Sequence, residues 1–195
     1  SQGGQANGKA YVFDRSVNWL EERLPLDPRH RRFGQSVSLS NGTLCVGSPL
    51  EVQNGLDRGA AHVFERSGNT WTTTGRLLAP DAAAIDEFGR ACAVSGDRLA
   101  VGAPGVDENA PEQGAVYTFT RVGTACESQV FATVPIQGDR FGSLVALSGS
   151  TLVATTNPLN APGGVTLFTR SGVDWANQQQ IDDVALAEEN SVAFD

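Results

Sequence analysis

The residues in this sequence that are best suited to bind a ligand form two short charged stretches of opposite sign. Arg29-His30-Arg31-Arg32 is a basic cluster in a chain whose formal net charge is −8. Asp107, Glu108 and Glu112 form an acidic stretch further along the chain. Either stretch can attract a partner of opposite charge, although a charged run is most often a solvated loop. We take these seven residues as candidate ligand-binding residues and keep the solvated loop as the alternative.

Residues for catalysis are sparse. The two histidines are His30, inside the basic cluster, and His62, which lies in a segment with strand-like alternation. Alternation makes His62 a packed or surface strand residue rather than a general base. The sequence has no Gly-x-Ser-x-Gly elbow, no His-Glu-x-x-His pair and no phosphate-binding glycine loop. We therefore predict no catalytic residues, no cofactor and a protein that is not an enzyme.

The composition excludes two classes of partner. A protein that binds nucleic acid needs an excess of Lys and Arg to neutralise phosphates, and this chain has a net charge of −8. No apolar run approaches the length of a membrane-spanning helix. We predict no nucleic-acid partner and no membrane insertion. The chain begins at Ser1 and contains no Met, which indicates a processed chain or a piece of a longer one.

A repeated pattern organises the 195 residues. The stretch from Asp86 to Pro104 contains Phe-Gly, two short apolar runs joined by a tight turn, and Gly-Ala-Pro. Gly96 stands at the first central position of that turn, where a type II′ hairpin needs a positive φ. Counterparts of the stretch begin near Phe33 and Phe141, so the period is roughly 50 residues, which is in the range of propeller blades.

Two further strands follow in each repeat. The third strand is predicted from four similar segments, which are 8–15, 59–66, 114–121 and 164–170. A fourth strand begins at Trp19, Trp71 and Trp175, with Cys126 in that position in the remaining repeat. The pattern predicts two strands, three four-stranded antiparallel units and one more strand, so the fold class is all-β.

The Phe-Gly and Gly-Ala-Pro motifs resemble those of the FG-GAP repeat in integrin alpha-chain propellers and in many secreted bacterial proteins. The resemblance covers nearly the whole chain. It implies a β-propeller of four-stranded antiparallel blades, with about three and a half blades present and a ring of seven blades in all. The chain is then one partial β-propeller, 1–195, made of the end of a blade (1–32), three repeats (33–87, 88–140 and 141–187) and the start of a further repeat (188–195), where Glu188-Glu189 replaces Phe-Gly.

The resemblance also raises the question of calcium. Integrin-type repeats often carry an Asp-x-Asp-x-Asp-Gly loop between the first and second strands, because a hard cation needs several oxygen ligands. In this sequence that connection is a two-residue turn in all three repeats, Asn41-Gly42, Gly96-Asp97 and Gly149-Ser150. Asp97 is the only acid in these turns, and one carboxylate cannot build the site. We predict no metal.

The repeat assigns packing roles to the aromatic residues and cysteines. We expect Trp71 and its counterparts to pack between blades, and the following phenylalanines to be buried there: Phe13, Phe33, Phe64, Phe88, Phe119, Phe141 and Phe168. Cys45, Cys92 and Cys126 show no metal-ligand spacing. We expect buried thiols, and a disulfide across neighbouring blades is the alternative in a secreted chain. Arg32 and Arg140, which precede Phe-Gly, are expected to pair with carboxylates of a neighbouring blade.

The resemblance and the lack of a catalytic set favour a non-catalytic, extracellular or cell-surface binding or adhesion module. The long loops all fall at one end of the blades, and loops on a rigid scaffold often carry binding sites. These loops are 50–58, 105–113 and 158–163 within blades, and 27–32, 80–87 and 136–140 between blades. We expect that end to hold a protein or glycan ligand. Further blades, from the same or another chain, are expected to close the propeller. The alternatives are a structural or assembly segment of a larger secreted protein or filament, and the non-catalytic propeller part of an extracellular enzyme.

Overall fold

The computed structural model describes residues 8–14, 20–24, 31–121, 126–131, 136–159, 162–172 and 174–184. All regular structure in these ranges is β-strand, and no helix in them is long and apolar enough to cross a membrane. In chain order the strands are β1 (Tyr11–Asp14), β2 (Leu20–Arg23), β3 (Val37–Ser40), β4 (Thr43–Ser48), β5 (Val52–Gln53), β6 (Leu56–Asp57), β7 (Ala60–Ser67), β8 (Thr70–Leu77), β9 (Ala91–Ser95), β10 (Arg98–Ala103), β11 (Ala115–Thr120), β12 (Cys126–Val130), β13 (Val145–Ser148), β14 (Thr151–Thr155), β15 (Gly163–Ser171) and β16 (Asp174–Val184).

The strands form three antiparallel four-stranded meanders. Their orders are β3-β4-β7-β8, β9-β10-β11-β12 and β13-β14-β15-β16, and β1 pairs with β2 in a separate two-stranded sheet. Each meander is a propeller blade, so the prediction of an all-β partial propeller is confirmed. We call the three meanders the first, second and third blades. The predicted further strand at 188–195 lies outside the described residues.

Burial explains why these segments become strands. The second strand of each blade is apolar on both faces, and β4 is buried along its whole length. The fourth strand is mostly exposed, as the polar threonines of β8 require. A strand that is buried on both faces must lie between two layers of protein. The blades therefore stack face to face, with their second strands inside the stack.

The cores lie in the seams between adjacent blades. The seam between the first and second blades contains Cys45 and Val63 from one side and Val94 and Tyr117 from the other. The seam between the second and third blades contains Ala100, Val116, Val145 and Leu147. Most of the predicted phenylalanines are confirmed as buried, namely Phe33, Phe64, Phe88, Phe119, Phe141 and Phe168, and the first two lie in the cluster that contains Ala10 and Leu24. Each Phe-Gly phenylalanine meets its third-strand partner edge to face, and the Phe88 and Phe119 ring centroids are 6.1 Å apart.

The glycines of the Phe-Gly and Gly-Ala-Pro motifs allow backbone segments to approach closely, both within a blade and between blades. Within the second repeat, the amide of Gly89 donates to the carbonyl of Gly102 at 3.1 Å. Between blades, a Cβ atom at Gly47 would overlap the carbonyl oxygen of Gly89, and one at Gly102 would overlap that of Gly142. The Phe-Gly turn of one blade therefore rests on the Gly-Ala-Pro backbone of the blade before it, and only glycine leaves room for this contact.

Phe13 departs from the prediction, because its side chain is 57% exposed. In the described part of the chain, β1 pairs with β2 alone, so no first or second strand and no Phe-Gly phenylalanine cover Phe13. Val37 and Leu39 of β3 are also exposed, although their counterparts in the third blade, Val145 and Leu147, are buried. The burial of these positions depends on a neighbouring blade rather than on the residue itself.

The tryptophan prediction is confirmed where the structure describes it. Trp175 packs against the seam between the second and third blades, and its Nε1 donates to Thr118 Oγ1 of the second blade at 3.3 Å. Trp71 packs against the cluster that contains Ala10 and Leu24. Trp19 lies outside the described residues, and only the backbone of Cys126 is described.

A second difference concerns the segment at 50–58, which the sequence predicts to be a plain loop. It contains a small hairpin in which β5 pairs with β6. Asn54 and Gly55 form its turn with positive φ values of 52° and 80°. An Asn-Gly pair is the most common two-residue hairpin turn, so the first blade carries an extra hairpin on its longest connection.

We predict that Gly102→Ala destabilises the protein by about 3 kcal/mol, because a backbone overlap cannot be relieved by a rotamer change. Gly96→Asn is the matched control, since nothing lies within 4 Å of a Cβ atom at Gly96 and Asn41 occupies the same turn position with a positive φ. Its effect should stay below about 1 kcal/mol. Urea unfolding followed by tryptophan fluorescence measures both values. Equal effects of the two substitutions would show that the contact between blades has been misassigned.

Candidate functional site

The connections between second and third strands and those between blades meet at one end of the stack, which we call the long-loop end. It comprises the loops around 49–59, 78–90, 104–114, 136–140 and 156–159. Backbone hydrogen bonds join these loops to one another. Ile85 N donates to Asp57 O at 2.7 Å, and Gly138 N donates to Pro111 O at 2.9 Å. The long-loop end is thus a connected surface rather than a set of independent loops.

Two of the three acidic candidates are brought together. Asp107 Oδ1 accepts a hydrogen bond from the backbone amide of Glu112 at 2.7 Å. The Glu112 carboxylate accepts from Arg140 Nη1 at 2.9 Å, and Arg140 Nη2 donates to Glu87 at 2.9 Å. Glu108 is exposed on the same loop. The prediction that Arg140 pairs with carboxylates of a neighbouring blade is confirmed.

The basic cluster is only partly described. Arg31 Nη1 lies 2.6 Å from Asp57 Oδ1, so its charge is offset by a carboxylate of the first blade's 49–59 loop. Arg32 is exposed and has a positive φ of 55°. Arg29 and His30 lie outside the described residues. Arg31 and the acidic loop contact different parts of the long-loop end.

A buried ion cluster lies beneath the 49–59 loop, and the sequence did not predict it. The side chain of Glu51 is 1% exposed, and it accepts hydrogen bonds from His62 Nε2 at 2.6 Å and from Arg76 Nε at 2.7 Å. Burial by itself would raise the pKa of Glu51, but the hydrogen bonds and charges of His62 and Arg76 together lower that pKa from its usual value of 4.5. Glu51 therefore serves as the anion that fixes this loop to the third and fourth strands.

The residue that corresponds to His62 in the next repeat also contacts a loop carboxylate. Tyr117 is the counterpart of His62, and its hydroxyl donates to Asp81 Oδ1 at 2.8 Å. Both rings stack edge to face on the Phe-Gly phenylalanine of their own repeat, with the His62 ring centroid 5.5 Å from that of Phe33 and the Tyr117 ring centroid 5.4 Å from that of Phe88. A buried ring with a polar tip thus connects a blade to a loop carboxylate. Aligning the repeats places His62 and Tyr117 at the same position, and this is the sequence signal that could have identified the shared role.

Asp86, next to the Phe-Gly word of the second repeat, is also buried. Burial raises the pKa of Asp86, and the backbone hydrogen bond from Ala83 opposes this rise. The negative charges of Asp81 and Asp107 raise the pKa further. Its Oδ2 accepts from Ala83 N at 2.6 Å, so Asp86 closes the turn that leads into the second blade.

A cleft of about 430 Å³ opens at the long-loop end between the second and third blades. Its walls combine aliphatic and acidic side chains, and Leu159 and Ile136 are 83% and 52% exposed. The lining residues are Pro111, Glu112, Ile136, Gln137, Gly138, Asp139, Pro158 and Leu159. Exposed aliphatic groups beside carboxylates suit a ligand that carries an apolar group next to a positive charge.

Neither metal binding nor general base catalysis is prominent in this geometry. In the described ranges, no group of three or more His, Cys, Asp or Glu side chains is placed to hold a metal ion. His62 is buried and its Nε2 is hydrogen-bonded to the Glu51 carboxylate. Of the candidate residues that the structure describes, only Glu112 lines the cleft. The sequence did not single out Ile136, Pro158 or Leu159 as site residues.

We predict that Glu51→Gln lowers the free energy of unfolding by about 2 kcal/mol at pH 7, because hydrogen bonds to a buried charge are lost. The folded-state pKa of Glu51 lies below its usual value, so the carboxylate stabilises the fold above the usual pKa and this contribution disappears as the pH falls through the folded-state pKa. The difference between wild type and variant should therefore shrink on acidification. Denaturant unfolding over a pH series measures it, with exposed Glu108→Gln as the control. A difference that is independent of pH would contradict the ion cluster.

Comparison with known families agrees with this architecture. A family model described as FG-GAP repeat matches residues 29–64 and 71–119, which cover most of the first repeat and the first three strands of the second. No curated protein matches the chain. The chain carries FG-GAP repeats over these two segments.

Proposed function

We propose that this chain is a non-catalytic binding module of an extracellular or cell-surface protein, and that it holds a protein or glycan ligand at the long-loop end. The observation that carries the proposal is the cleft between the loops of the second and third blades. It exposes the aliphatic side chains of Ile136 and Leu159 together in one concave surface. Exposed apolar groups in a concave site commonly mark a place of binding.

The cleft is preorganised. The amide of Gly138 donates to the carbonyl of Pro111, and the amide of Asn157 donates to the carbonyl of Asp139, both at 2.9 Å. The cleft walls are thus fixed to one another through the backbone. A ligand that binds there loses little free energy to the ordering of loops.

Charge favours one kind of ligand over others. Asp139 and Glu112, which is paired with Arg140, lie in the cleft beside the aliphatic groups. The chain as a whole carries a net charge of −8. Long-range attraction then favours positively charged partners. A protein segment with an apolar side chain next to Lys or Arg fits this surface better than an acidic segment does.

The test uses a random peptide display library and a glycan array, both probed with the purified chain. We predict that Leu159→Asp weakens the binders that are found by about tenfold or more, because it places a charge in the apolar part of the cleft. Leu56→Asp is the control, since Leu56 is an exposed leucine of the same end, 43% exposed, that does not line the cleft. Binders that are equally affected by both substitutions, or by neither, would rule out the cleft.

A second candidate function, an assembly element, rests on a different surface. Tyr11, Phe13, Val37 and Leu39 line an apolar groove of about 700 Å³ on the open side of β1 and β3. The counterparts of Val37 and Leu39 in the other blades are covered by the preceding blade, so further blades of the same or another chain suit this groove. In the same series, Leu39→Asp separates the two functions. An assembly element loses self-association in light scattering with Leu39→Asp and keeps it with Leu159→Asp.

A further inference from the structure

Two thiols face each other across the seam between the first and second blades. Cys45 lies in β4 and Cys92 lies in β9, and both are buried in the same apolar cluster. Cys92 Sγ is 3.4 Å from the carbonyl oxygen of Cys45, although the two residues are 47 positions apart in the chain. The fold therefore places one cysteine of each blade at the same point of the seam.

Hydrogen bonds on either side hold the two strands in register. Ser36 Oγ donates to the carbonyl of Gly89 at 3.0 Å, and Val94 N donates to Ser38 Oγ at 3.0 Å. Cys92 lies between Gly89 and Val94, so its position relative to the first blade is fixed on both sides. A disulfide forms only where the two backbones are held at a suitable separation.

The seam does not need cysteines for packing. In the next seam the positions of Cys45 and Cys92 are taken by Ala100 and Val145, and both of those residues are buried in the corresponding cluster. An apolar pair thus fills the same space in the repeat where thiols are absent. The pairing of two cysteines in one seam calls for a chemical rather than a packing explanation.

The two thiols are electrostatically unequal. The side-chain hydrogen bond between the two thiols lowers the pKa of Cys92, and Ser36 and the Gly47 backbone act in the same direction against the effect of burial. The hydrogen bond with Cys92 and burial raise the pKa of Cys45. Cys92 is the thiol that ionises first and is the nucleophile in thiol–disulfide exchange.

We propose that Cys45 and Cys92 form a disulfide that joins the first and second blades when the protein meets a low-molecular-weight disulfide such as oxidised glutathione. The Cys92 thiolate attacks one sulfur of the oxidant, and one glutathione thiolate leaves. The Cys45 thiolate then attacks the Cys92 sulfur of the mixed disulfide and expels the second glutathione. The two protein thiols lose two electrons, glutathione disulfide is reduced to two thiols, and the protons of the protein thiols pass to the glutathione products.

Burial determines when the bond forms. Cys45 is fully buried and Cys92 is 7% exposed, so the oxidant reaches them only while the seam is open, during folding or in local opening. Once formed, the disulfide connects two blades that are otherwise held by packing and hydrogen bonds. Crosslinking residues this far apart in sequence is expected to raise the melting temperature by about 10 °C.

Peptide mapping tests the pairing directly. Cleavage after Lys and Arg places the three cysteines in three different peptides, 33–58, 91–98 and 122–140. The protein is refolded with oxidised and reduced glutathione, alkylated and digested without reduction. We predict a linked pair of peptides 33–58 and 91–98, and an alkylated peptide 122–140. Alkylation of all three peptides, a link to 122–140, or a stable glutathione adduct on Cys92 would overturn the proposal.

A second measurement uses variants taken from the repeat itself. Cys45→Ala/Cys92→Val copies the Ala100 and Val145 pair of the next seam, so it preserves packing without thiols. Addition of dithiothreitol should lower the melting temperature of the oxidised wild type and of Cys126→Ser by about 10 °C, and should leave the double variant unchanged. An equal response to dithiothreitol in wild type and double variant would also overturn the proposal.

Discussion

The structure depends on a contact between two stretches of backbone. The carbonyl of a Phe-Gly glycine lies directly over a glycine of the preceding blade. Gly142 lies over Gly102 of the Gly-Ala-Pro motif, and Gly89 lies over Gly47 of its counterpart, Gly-Ser-Pro. No side chain fits between them, so neighbouring blades approach as closely as their backbones allow. The aromatic pairs then fill the space around this contact, and each Phe-Gly phenylalanine is 1% exposed or less. The two repeated motifs therefore form the two sides of one contact between neighbouring blades, Gly89 over Gly47 and Gly142 over Gly102, which we call the joint.

The candidate binding surface derives its rigidity from the same joint. The amide of Phe141 donates to the carbonyl of Gln113 at 2.8 Å, and the amide of Arg140 donates to the carbonyl of Glu112 at 2.9 Å. The loop around 104–114 is thus attached to the Phe-Gly turn of the next blade. Residues in front of Phe-Gly are free to differ in charge, as Arg32, Glu87 and Arg140 do, while all three keep a positive φ. A constant joint with variable residues beside it is the arrangement that a binding scaffold requires.

Local patterns in the sequence predicted much of this fold, and longer-range features escaped prediction for physical reasons. The turn and the short apolar runs of β9 and β10 are local, so these strands and the buried phenylalanines could be anticipated. Phe13 could not, because its burial is decided by a neighbouring blade. The cluster of Glu51, His62 and Arg76 joins residues from a loop and two strands, and no spacing in the sequence marks it. The cleft walls were missed for the same reason, since Ile136 and Leu159 come from different loops.

The third repeat shows how the joint constrains sequence. Thr155 stands where Gly47 and Gly102 stand in the earlier repeats, and its Oγ1 accepts from Leu144 N at 3.2 Å. A Phe-Gly carbonyl cannot approach a threonine as closely as it approaches glycine. In the sequence, Glu188-Glu189 occupies the position where the next Phe-Gly would fall. At this point of the repeat the sequence thus lacks both the glycine and the next Phe-Gly motif.

Native-state hydrogen exchange at the joint tests the central claim most directly. Gly89 and Gly142 contribute the carbonyls that lie against the preceding blade, and within their own blades their amides donate to the carbonyls of Gly102 and Thr155 at 3.1 Å and 2.9 Å. If the joint holds the blades together, these amides exchange only when the protein unfolds globally, about a thousandfold or more slowly than the amide of Gly68 in the exposed turn between β7 and β8. Exchange of Gly89 and Gly142 at the rate of that turn amide would show that the blades are held together elsewhere.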